Sequence, residues 1–133
     1  MLWIRTTSPE RLLETLTTIL SWLLGVLLIP AGGMKALMPA AKLTANPQMA
    51  WIERTGIQQA RLAGASELAA AAAFIGGALD ITPLWLTGVA AVGIVVVMAL
   101  AAVRVHQPAG EPIVPNLVLA LLAAVLAVGA FTV

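Results

Sequence analysis

Four stretches of the chain are nearly free of charge, and polar or helix-breaking residues separate them. The first, TLTTILSWLLGVLLIP, follows Ser8, Pro9 and Glu10, which read as an N-cap hydroxyl, a proline at the first helical position and an early acid. Carried through Pro30, it predicts a helix over about 12–38. Proline inside a helix forfeits a hydrogen bond and bends it, and Gly25, Gly32 and Gly33 would leave room for the bend. The other stretches predict helices over about 58–79, 84–105 and 115–131. Pro39 to Thr55 reads as a loop with a short interfacial piece, anchored at headgroup level by Trp51. Asp80, Thr82 and Pro83 make a connection so short that the helices on either side should be antiparallel neighbours. Gln107 to Pro115 forms the last loop.

Several of these runs approach the roughly 20 apolar residues needed to span a bilayer. The expectation is an all-α, polytopic membrane protein: a four-helix transmembrane bundle forming one domain over residues 1–133. An alternative for the first run is a cleaved signal peptide, with basic residues ahead and small residues at Ala31 to Gly33 behind; Glu10 and Glu14 are unusual for such a segment. Small residues four apart support close helix packing, as at Ala69, Ala73 and Gly77, Ala120 and Ala124, and Ala123 and Ala127.

Composition agrees with the pattern. Of 133 residues, 61% are hydrophobic and 10% charged, with mean hydropathy +1.01; soluble domains carry about 25% charged residues. A net charge of +1 supplies no basic field for nucleic acid. With no cysteine, the chain itself cannot form a disulfide, a thiolate nucleophile or an iron–sulfur cluster. A single histidine excludes a bis-histidine haem built by one copy. No dinucleotide, P-loop, GxSxG or HExxH pattern occurs. Lysine and arginine favour the side holding Lys35, Lys42, Arg54, Arg61 and Arg104 over the side holding Arg5 and Arg11, which predicts cytoplasmic loops after helices one and three and both termini outside.

Alternation of four helices brings the end of the first, the start of the second, the end of the third and the start of the fourth to one membrane face. Lys35, Arg61, Glu67, His106, Glu111 and Asn116 fall at those positions and form the candidate site. An ionised group near mid-bilayer costs about 2.5–3.5 kcal/mol on insertion scales, so Glu67 needs compensation. Arg61, Gly64 and Glu67 follow one helical row, which carries Glu67 roughly 9 Å deeper than Arg61. Arg61, Lys35 and His106 are the expected counter-charges. Each residue also has a plainer reading: interfacial charge for Lys35, Arg61 and Arg104, a headgroup-level ring for His106, a solvated carboxylate for Glu111, a helix start for Asn116 and a structural ion pair for Glu67. No metal site is expected, since one histidine with scattered carboxylates is a poor zinc donor set.

At these residues the sequence resembles the DoxX-like family of small four-helix membrane proteins. The resemblance runs through WLLGVLLIPAGGMKALMP around Lys35, MAWIE around Trp51, RLAGASELAAAAAFIGG with Arg61 and Glu67, the segment ending at His106, and GEPIVPNLVLALLAA with Glu111 and Asn116. It covers about Ile19 to Val128; Pro30 stands where the family pattern leads one to expect an ordinary apolar residue. The resemblance implies a bacterial inner-membrane protein, in a family that includes a small subunit of a quinone-linked oxidase system and distant relatives that assist membrane-protein assembly.

Three functions fit these residues. One is an accessory subunit that binds a quinone-like or other lipophilic molecule beside a redox partner, with Glu67 and His106 exchanging protons and Arg61 and Lys35 orienting the ligand. The second is a non-catalytic scaffold or assembly factor, possible also as a homo-oligomer. The third is a small proton-coupled exporter using Glu67.

Overall fold

The computed structural model describes residues 8–133; Arg5 of the charge count lies outside the described residues. Four long helices dominate: α1 (Pro9–Leu37), α4 (Ile57–Ala78), α5 (Leu84–Leu100) and α6 (Val114–Thr132). The short helices α2 (Ala40–Ala45) and α3 (Ile52–Thr55) and a 3-10 turn (Pro47–Met49) fill the connection from α1 to α4. Among the described residues there is no strand.

Ser8 opens α1 by accepting a hydrogen bond from the Arg11 backbone N–H at 3.2 Å, with Pro9 following where no N–H is needed. The helix continues through Pro30, whose ring is exposed, so the lost hydrogen bond falls on the outer face. Gly25 and Gly32 serve a purpose other than the bend expected of them. A Cβ on Gly25 would meet Ile75 at 2.7 Å, and both glycines are where α4 packs against α1.

The α4–α5 connection is closed by the Gly76 carbonyl, which accepts from the Ile81 and Thr82 backbone N–H groups at 2.8 and 3.2 Å. Helix α1 lies along α4, α4 along α5, α5 along α6, and α6 returns to α1. Leu20, Leu24 and Leu28, Ala70, Ala71 and Phe74, Ala91, Ile94 and Met98, and Ala123, Leu126 and Ala127 make the common core.

The exterior is as apolar as the core, unlike that of a soluble protein. Helix α4 buries Gly64, Glu67, Ala70, Gly76 and Gly77, while Leu62 faces outward; Ile19, Leu23, Val26 and Leu27 of α1, Val89, Val92 and Val96 of α5 and Leu117, Leu121 and Val128 of α6 are likewise exposed. Large apolar groups outside, with small residues where helices meet, are the arrangement of helices solvated by lipid. The segments Pro9–Leu37, Leu84–His106 and Val114–Thr132 are long and apolar enough to cross a bilayer, which makes this a membrane protein. Helix α4, at 22 residues, reaches about 33 Å but carries Arg61 and Glu67.

Candidate functional site

The site begins with two glycines. Where α1 crosses α4, a Cβ on Gly64 would stand 2.6 Å from the Gly32 oxygen and the Ala36 nitrogen, and one on Gly32 would stand 2.8 Å from the Gly64 oxygen. Only hydrogen at these positions lets the backbones touch. That approach puts the last turn of α1 beside the second turn of α4, and Lys35 reaches Glu67 with Nζ 2.5 Å from Oε1.

Glu67 is 1% exposed and Lys35 15%. The lysine thus spans from the protein edge to a carboxylate with no access of its own. Arg61 does not pair with Glu67, contrary to one expectation. Its Nη1 donates at 3.1 Å to the Lys35 carbonyl, a last-turn acceptor without an intrahelical partner. Both cations therefore sit at the negative end of the α1 dipole, which adds to their fit. Glu67 Oε2 is buried and, among the described residues, has no hydrogen-bond partner.

His106, the other expected counter-charge of Glu67, goes elsewhere. Helix α5 ends in a π-helical turn, Ala101–His106, in which the Gln107 N–H donates to the Ala102 carbonyl five residues back at 2.8 Å. The wider turn aims the His106 ring at Glu111, with Nδ1 3.3 Å from Oε1. The same Oε1 accepts from Arg54 Nη2 of α3 at 2.6 Å, and Trp51 meets the His106 ring edge-on at 6.3 Å between centroids. Partial burial raises the Glu111 pKa, but hydrogen bonds from Arg54 and His106 and their positive charge outweigh it, leaving the carboxyl below its ordinary 4.5. Glu111 thus ties two loops together rather than standing alone in solvent.

Asn116 joins neither ion pair: its Nδ2 lies 3.7 Å from Met98 Sδ, linking the start of α6 to α5. The six residues expected to converge therefore divide into Lys35, Arg61 and Glu67 at the α1–α4 crossing, His106 and Glu111 at the loop ends, and Asn116 between α5 and α6. Arg54 belongs with the second group and was not among the expected site residues. Its only sequence signal is a cation in the interfacial segment on the same membrane face as an otherwise unpaired acid.

Chemically, the first group holds a buried carboxylate against an ammonium and leaves one oxygen able to accept a hydrogen bond. The open recesses lie elsewhere. A groove of about 540 Å³ follows the outer flank of α4 and α5 past Ala69, Ala73, Ala90 and Gly93, and Glu67 does not line it. Among the described residues, no group of three or more histidine, aspartate or glutamate side chains is placed to hold a metal. No protein-family model, curated protein or solved structure matches the chain.

Proposed function

We propose that the chain is a DoxX-like accessory subunit of the bacterial inner membrane, in which all four long helices cross the bilayer and the polar end serves as a lock, not a catalytic centre. The carrying observation is that Glu67, 1% exposed, is already engaged by Lys35 beneath a glycine crossing with no room to spare. A ligand seeking that carboxylate must displace a charged partner. An acid fixed in this way selects one register between α1 and α4, because sliding by a turn would leave both charges unpaired in lipid. The apolar outer faces then remain available to other membrane proteins.

A second reading, a lipophilic ligand such as a quinol, has one observation in its favour: among the described residues the buried Glu67 Oε2 has no hydrogen-bond donor. Proton-coupled export gains no comparable support. Thermal unfolding of the purified full-length chain in mild detergent, with and without a short-chain quinone or its quinol, separates these readings. For the lock, Glu67→Gln lowers the melting temperature and neither added molecule shifts it. A ligand-dependent rise in the parent protein that disappears in Glu67→Gln overturns the lock in favour of the second reading.

A further inference from the structure

Three of the chain's five methionines, Met34, Met38 and Met49, lie within 16 positions of one another. All three pack, with Trp51, on a small cluster formed by Leu43, Ile52 and Ala60. They come from different backbone segments. Met34 and Met38 are one turn apart at the end of α1, and the Met38 N–H donates to the Met34 carbonyl. Met49 closes the 3-10 turn two residues before Trp51. All are half-buried, and Asn46 Nδ2 lies 3.9 Å from Met34 Sδ.

His106 stands at the edge of this group through its contact with Trp51. Nδ1 of His106 lies 3.3 Å from Glu111 Oε1, which leaves Nε2 as the ring nitrogen that the carboxylate does not engage. A carboxylate behind one imidazole nitrogen is the usual means of orienting the other toward a metal. Thioethers are soft, uncharged donors, and an imidazole is uncharged once a metal has replaced its proton. They discriminate against magnesium and calcium, which take oxygen, and favour cuprous ion among biological metals. An aromatic face beside them adds attraction for a cation.

From this grouping we propose that Met34, Met38, Met49 and His106, with Trp51 alongside, bind a single cuprous ion at the polar face of the protein. The site is separate from the Lys35–Glu67 lock and does not depend on the proposed function. Its metal-bound ligands are neutral, so the ion keeps one positive charge, next to the Arg54–Glu111 pair. The half-exposed methionines give the ion a route in from the aqueous side. Binding involves no change of oxidation state.

The test is an anaerobic titration of the full-length protein in mild detergent with Cu(I) buffered by bicinchoninate, followed by chelator absorbance and tryptophan fluorescence. One Cu(I) per chain should transfer, with quenching that is absent in Trp51→Phe. Met38→Leu/Met49→Leu should weaken binding by about tenfold or more, equivalent to about 1.4 kcal/mol. It should do so without lowering the metal-free melting temperature, since Met and Leu are close in volume. Glu111→Gln should weaken binding about tenfold through His106, and Met98→Leu should have no effect. If the double variant loses its fold, Met38→Leu and Met49→Leu singly decide, each with measurable loss. No transfer from the chelator, or transfer indifferent to the methionine substitutions, overturns the proposal and leaves these side chains as core filling.

Discussion

Replacing Lys35 by methionine keeps most of the aliphatic stem and removes the ammonium that holds Glu67. The carboxylate, 1% exposed, would then have neither a charged partner nor water. Removing one member of a buried pair costs about 3–5 kcal/mol, and retention of the packed aliphatic stem places Lys35→Met toward the lower end. Glu67→Gln is milder. The amide oxygen still accepts from Nζ, and a lysine 15% exposed can extend to the headgroups, so the loss is about 1–2 kcal/mol. In Lys35→Met/Glu67→Gln both charges are gone and one buried amide remains, so stability should return to within about 1–2 kcal/mol of the parent. The coupling from this cycle should be about 3 kcal/mol, roughly 150-fold in the unfolding constant. Reversible unfolding in mixed micelles at rising dodecyl sulfate mole fraction, followed by circular dichroism, measures all four proteins. Two results would refute the reasoning: single variants within about 0.5 kcal/mol of the parent, or a double variant as damaged as Lys35→Met.

The same geometry leads to further outcomes. Gly64→Ala sets a methyl against two backbone atoms at 2.6 Å and should cost about 1–3 kcal/mol in that micelle assay, whereas Gly33→Ala, with nothing within 4 Å, should be neutral or stabilising. Glu111 has a lowered folded pKa, so its contribution is complete above the unfolded value near 4.5 and is lost as pH falls through the lower folded value. Hydrogen exchange in residues 107–113 should therefore accelerate in that acid range in the parent but not in Glu111→Gln. Because the chain has no cysteine, single cysteines report topology directly. An impermeant maleimide added outside intact cells should label Asp80→Cys and spare Ala109→Cys; the opposite pattern would remove α4 as a span or reverse the orientation, and equal labelling would remove α5.

The helices were legible because lipid imposes long apolar runs and because the breakers are unambiguous: Ser8–Pro9 before α1, Pro39 after it, and Asp80 to Pro83 before α5. The shared end of Lys35 and Glu67 was legible too, since alternating helices leave little freedom in which ends meet. Pairing was not. Arg61 lies on the same row as Glu67, and sequence spacing alone cannot show that its guanidinium is drawn to the α1 carbonyls instead. Gly64, between Arg61 and Glu67, reads as space for a neighbouring helix or a ligand, but Gly32 does not read as its partner, because a glycine at a crossing and a glycine beside a kink look alike in one dimension. His106 was misassigned for a related reason. Counting at 3.6 residues per turn gives the wrong azimuth once the helix widens at Ala101.

That widened segment makes the chain unusually tolerant of a change in length at one place. Each residue of an ordinary α-helix rotates the downstream chain by about 100° and advances it by about 1.5 Å. The turn ending at Gln107 closes over five residues instead of four and so absorbs one residue without carrying the imidazole around the cylinder. Deleting Val103 would restore regular winding and leave the ring near the indole and the acid that now flank it. The same deletion one turn earlier, within regular α5, would swing everything downstream by about 100°.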